Sequence, residues 1–201
     1  AARILRYQAL DGEPCDFICL AHHMGDNAET VLMHILRGSG SNGACGIRTQ
    51  KGKYVRPLLD MTREQILEYA AKNNVPYVHD STNDETKYTR NFIRLNVLPS
   101  LKKLNPNAER SIARFVENVA EDCDYLDSLA DVSSVEFAPM LARIPIALLR
   151  QPKPVSQRII YKVFNRLGVY KDIEKTHITA LIDLARGNGG RQVNLPFGFV
   201  A

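Results

Sequence analysis

The chain has 201 residues, 45% hydrophobic and 24% charged, enough apolar material for a packed core and ordinary for a globular protein. A formal net charge of +4 and a pI of about 8.9 permit an anionic partner without requiring one. No apolar run reaches transmembrane length, and no signal peptide is expected. Cys15, Cys19, Cys45 and Cys123 form neither a Cys-x-x-Cys pair nor a zinc set. The expectation is a cytoplasmic protein off the membrane, with reduced thiols.

In chain order, "AARILRYQAL" has helical spacing at Ile4, Leu5, Ala9 and Leu10, and "DGEP" is a turn. "CDFICLAHH" is too apolar for a half-exposed strand and reads as a buried one. "NAETVLMHILRGSGSNG" predicts a helix with Val31, Leu32, Ile35 and Leu36 on its apolar face, closed by Gly38. "KYVRPLL" predicts a second strand stopped by Pro57. "MTREQILEYAAKNN" is a helix opened by the Thr62–Gln65 capping box and ended at Asn74, and "VPYVHD" is a third strand. Strands alternating with helices through residue 80 argue an α/β layer with a parallel sheet.

Helices dominate after residue 85. "TKYTRNFIRLNVLPSLKKL" is amphipathic around Phe92, Ile93, Val97 and Leu101, with Pro99 as kink or break. "NAERSIARFVENVAEDCDYLDSLA" is one long helix, and "DVSSVEFAPM" reads as a loop. A helix from Ser156 to Leu167 is closed by Gly168, and another from near Asp172 is closed by Gly187. "GNGGRQVNLP" turns into a last short strand.

Two stretches concentrate chemistry. "AHHMGDNAET" places His22 and His23 at a strand end, where open α/β sheets bind ligands. Asp26 and Glu29, three apart, share a face of the next helix's first turn. Acidic residues there also suit the helix dipole, and each residue alone is more often structural. Four together make a candidate site. It would be either a metal site using His22, Asp26 and Glu29, or an ammonium pocket between two carboxylates. "DSTNDETKYTRNFIR" follows another expected strand. Its polar Asp80, Ser81, Thr82 and Asn83 precede Arg90 and Arg94, one helical turn apart and suited to phosphate or carboxylate. From Lys87 to Asn118 seven basic residues stand against two acidic ones, and Arg158, Lys162 and Arg166 form a second stripe. Two basic stripes favour nucleic acid.

"AHHMGDNAET", "RGSG", "RPLL" and "DSTNDETKYTRNFIR" together resemble, in order and spacing, the tRNA(Ile)-lysidine synthetases of the PP-loop ATPase group, over about residues 1 to 130. The remainder resembles their small helical domain more weakly. The resemblance implies an α/β fold with a partial Rossmann-like parallel sheet, followed by a long linker helix and a small, mainly helical domain. The divisions would be 1–104 for the catalytic part, 105–130 for the linker helix and 131–201 for a tRNA-binding domain. It implies an enzyme that adenylates the wobble cytidine of tRNA(Ile) with a CAU anticodon, using ATP and Mg2+. Free L-lysine then displaces AMP. By the same resemblance Asp26 and Glu29 hold the lysine, and loss of either charge weakens lysine use more than ATP use. Arg90 assists adenylation, and His22 and His23 lie by the phosphates or reacting groups. Asn91, Arg94, Lys102, Lys103, Arg110 and Arg114 meet tRNA or phosphate, and Asp26 stands as the alternative metal ligand.

The sequence departs from the family pattern at Gly25-Asp26-Asn27, where Asp-Asp-Gln is usual. The family's S-G-G-x-D-S phosphate loop would lie ahead of residue 1, so these residues alone are expected not to form lysidine. The rivals are a PP-loop tRNA thiotransferase, which would want exposed and often paired cysteines, and a catalytically incomplete tRNA-binding fragment.

Overall fold

The computed structural model describes residues 2–78, 89–169, 172–187 and 190–201. They divide into two compact units, 1–121 and 122–201.

In the first unit, α1 (Ala2–Asp11) precedes β1 (Ile18–Cys19) and α2 (Met24–Leu36). The short α3 (Ser41–Ala44) leads into a hairpin of β2 (Gln50–Lys51) and β3 (Tyr54–Val55). Gly52, at φ +57°, takes the first position of its two-residue turn, a conformation that glycine adopts without strain. Sheet order is β1-β3-β2. The β1–β3 pair is parallel and β2–β3 antiparallel, so the sheet is only partly the parallel one expected. Lys53 Nζ reaches the carbonyls of Leu10 and Asp11, both at 3.0 Å, and clips the end of α1 to the hairpin.

The expected capping box opens α4 (Arg63–Lys72). Gln65 N donates to Thr62 Oγ1, and Thr62 N donates to Gln65 Oε1. Beyond Asn74 (φ +51°), residues 75–78 are not a strand, against the sequence expectation. Pro76 lacks the N–H that a ladder needs, and Tyr77 and Val78 are exposed. The rest of that expected strand lies outside the described residues.

Helical structure resumes with α5 (Thr89–Phe92), a π-helical turn (Ile93–Val97) and α6 (Leu98–Leu104). Pro99 therefore does not break the helix. In α geometry its ring would meet the Leu95 carbonyl. The π turn, closed by Leu98 N–H to Ile93 O, widens the path just ahead of it. Ala28 of α2, Ile93 and Leu98 form a small core with Leu32, Met33, Val97, Leu101 and Ile112 packed around it.

The long helix α7 (Ala108–Leu129) runs through the division at 121/122. In the second unit, "EFAPMLAR", which begins inside the stretch expected as a loop and runs three residues past it, forms a hairpin of β4 (Glu136–Ala138) and β5 (Leu141–Arg143). Its turn is Pro139–Met140 with Met140 at φ +55°, and no glycine marks it in the sequence. The core lies among α8 (Ile146–Leu149), α9 (Lys153–Arg166) and α10 (Lys175–Arg186), built on Ile159, Ile160, Phe164, Ile178 and Ile182. The expected last strand is a single bridge, Asn194 to Val200. Among the described residues no helix is long and apolar enough to cross a membrane.

Candidate functional site

The end of β1 delivers His22 and His23, and α2 begins at once. His23 is the N-cap: its Nδ1 accepts from Gly25 N at 3.1 Å, while Asp26 Oδ2 accepts from His23 N at 3.0 Å. With Nδ1 accepting, the neutral ring carries its proton on Nε2, 3.5 Å from Asp26 Oδ2. His23 thus serves the helix start. Gly25 fits this arrangement, because a Cβ there would stand 2.9 Å from His23 Cε1. Asn27, buried at 5% exposure, accepts from Ile47 N at 2.7 Å and fixes the turn at Gly46 (φ +58°). The departure from the family pattern at Gly25 and Asn27 is therefore built into local structure.

Packing of α2 on residues 93–101 brings the two arginines onto the two carboxylates. Arg90 gives Nε to Glu29 Oε2 at 2.7 Å and Nη2 to Asp26 Oδ1 at 2.9 Å. Arg94 gives Nε to Glu29 Oε1 at 2.6 Å and Nη2 to Glu29 Oε2 at 3.0 Å and Asp26 Oδ1 at 3.2 Å. The Glu29 side chain is 2% exposed and Arg90 37%. Hydrogen bonding to Glu29 holds Arg94 above the ordinary arginine pKa, against the opposing effect of burial. Two carboxylates against two guanidiniums leave the cluster neutral. Asp26 and Glu29 are thus not the open anionic pair that an ammonium pocket presents.

The metal alternative fares worse. Asp26 Oδ1 takes two guanidinium N–H groups and Oδ2 a backbone N–H. Among the described residues no three His, Cys, Asp or Glu side chains gather for a cation. These groups do not fit a resident metal.

His22 is half-buried at the end of β1, and Asn91 half-buried on α5. Lys102 spans two elements, 3.1 Å from Glu109 and 3.3 Å from Glu64. Partial burial pulls its pKa down, but hydrogen bonds and ion pairs to both carboxylates outweigh that and raise it. Its charge is met within the protein. Lys103, Arg110 and Arg114 are exposed, and the last two line a cleft of about 410 Å3 with Asp60 and Glu117. The stripe on α9 is not an open basic face. Arg158 is 8% exposed and pairs with Asp127 at 2.8 Å, Lys162 caps the end of α7 through the Asp127 and Ala130 carbonyls, and Arg166 lies over the Phe137 ring. Asp80, Ser81, Thr82, Asn83 and Lys87 lie outside the described residues. Cys15 and Cys19 are exposed, Cys45 and Cys123 buried.

Residues 1–101, which hold the histidines, both carboxylates and both arginines, match the PP-loop domain family. The chain belongs to that family. This PP-loop chain is similar to tRNA(Ile)-lysidine synthases. That of Parabacteroides distasonis is 39% identical over 189 residues, 90% of this chain and 42% of the relative. That of Thermosipho africanus is 41% identical over 141 residues, 68% of this chain and 33% of the relative. That of Bacteroides thetaiotaomicron is 34% identical over 197 residues, 96% and 45%. The chain thus spans less than half the length of these relatives. Sequence reasoning missed Asn27 as the fixer of the Gly46 turn.

Proposed function

We propose that the protein carrying this chain is a tRNA(Ile)-lysidine synthetase: it adenylates the wobble cytidine of a CAU-anticodon tRNA(Ile) with ATP, taken as its Mg2+ complex, and lets lysine displace AMP. The carrying observation is the Asp26–Glu29–Arg90–Arg94 cluster beside the end of β1, within the stretch matched by the PP-loop family. Arg90, the more exposed arginine, meets the negative charge that develops on the transferring phosphoryl group. Asp26 and Glu29 hold both guanidiniums in place and offer their remaining lone pairs to the lysine amine. Neutrality suits that task. An ε-amine with a reference pKa of about 10.4 must lose its proton before it attacks, and a neutral site does not hold the ammonium form. His22, half-buried at the end of β1, takes that proton. Asn91, Arg94, Lys103, Arg110 and Arg114 meet tRNA or phosphate, with Lys102 as their structural support, and residues 131–201 form a tRNA-binding domain.

The test uses the complete protein with ATP, tRNA and radiolabelled lysine. Lysine incorporation that requires both ATP and tRNA, and that falls at least a hundredfold in Arg90→Ala, is the expected result. No incorporation by the wild type, with ATP consumed to place sulfur on tRNA, would replace this activity by a thiotransferase.

A further inference from the structure

We propose that Arg56 is an anion-binding residue of the nucleotide site, taking a phosphate oxygen of ATP; this rests on the ATP-dependent activity proposed above. Arg56 is 7% exposed. Its Nη1 donates to the Arg48 carbonyl at 2.9 Å, and its buried Nε has no hydrogen-bond partner. No carboxylate pairs with it among the described residues. Arg158 in the second unit, 8% exposed, has a carboxylate beside it, Asp127 at 2.8 Å. Arg90, Arg94 and Lys102 also each have a carboxylate. A guanidinium cannot shed its proton to escape burial, and one hydrogen bond to a carbonyl does not replace its lost hydration. Arg56 is a buried positive charge prepared for an anion.

Its place in the fold says which anion. β1 and β3 run parallel, with Leu20 N bonded to Val55 O at 2.8 Å, so Arg56 follows the carboxyl end of β3 beside that of β1. Ligands of α/β sheets bind at that edge. Met24 N bonds to Met61 O at 3.0 Å and ties the turn after Arg56 to the first residue of α2. The planar fork of a guanidinium matches phosphate oxygens. A terminal phosphate chain reaches so buried a group, whereas an internal phosphodiester flanked by two riboses would have to open the turn.

The complete protein, Arg56→Met and Arg56→Lys are compared by thermal unfolding with and without inorganic pyrophosphate, and by equilibrium binding of ATP and of tRNA. The expected result is that Arg56→Met without ligand melts at or above the wild type, because an unpaired charge has gone. Its ATP affinity falls at least tenfold and stabilisation by pyrophosphate disappears. Arg56→Lys keeps the fold and the charge, loses the fork, and falls in between. ATP affinity within twofold of wild type in both variants overturns the proposal and leaves Arg56 as an anchor for the Arg48 segment. Lost tRNA binding with ATP binding intact also overturns it. A wild-type protein that binds no ATP defeats the proposed activity itself, before either variant is consulted.

Discussion

At the scale of single residues, the site depends on groups whose chemistry is already spoken for within the fold. His23 accepts the Gly25 N–H, so Gly25→Ala pushes a Cβ onto the ring and removes the cap. A cost of about 0.5–2 kcal/mol is expected, the usual range for a lost N-cap, read by denaturant unfolding of the complete protein. Asn27→Ala leaves the Ile47 N–H without its 2.7 Å partner, and about 1–3 kcal/mol should be lost. A wild-type unfolding midpoint in either variant would remove these residues from the structural account. Arg94→Ala is expected to cost more, about 3–5 kcal/mol, because it strips partners from a Glu29 side chain that is 2% exposed.

At the scale of elements, α1 is clipped to β3 by Lys53 and by the Tyr54 hydroxyl, which donates to Asp11. That hydrogen bond, then burial and the Asp11 charge, push the Tyr54 phenol from 10.0 to about 12. A raised pKa favours the neutral phenol. The clip is therefore fully present below pH 10 and lost as pH rises through about 12. An ultraviolet phenolate titration should show one tyrosine ionising late in the wild type and earlier in Asp11→Asn; identical titrations would contradict the clip. Much of this level was legible in the sequence: α2, α4 with its capping box, α7 and α9 rest on strong local periodicity or capping. The hairpin of β4 and β5 was not, because its left-handed turn residue is Met140 rather than glycine. Nor was the π turn, since only the helix's need to pass Pro99 calls for it. The four site side chains could be named from their spacing. Their mutual pairing could not, because it depends on how α2 packs against residues 93–101, and that turns an expected open ammonium pocket into a neutral cluster.

At the scale of the whole molecule, the positive charge legible between Lys87 and Asn118 separates into paired and open cations. Lys102 is tied to Glu64 and Glu109, while Lys103, Arg110 and Arg114 are exposed. In the complete protein, neutralising those three should lower the slope of log affinity for tRNA against log salt by about 1 for each phosphate that no longer meets a cation. An unchanged slope would move the RNA surface elsewhere. The central claim is that Asp26 and Glu29 position Arg90 and Arg94 as well as receiving the amine. The most direct measurement is tRNA-dependent adenylate formation without lysine, comparing Glu29→Gln with the wild type at equal folded fraction. Adenylate formation reduced at least tenfold is the predicted result, because both guanidiniums lose their shared anchor. Adenylate formed at the wild-type rate, with only lysine transfer impaired, would contradict the positioning role and leave Glu29 as a lysine ligand alone.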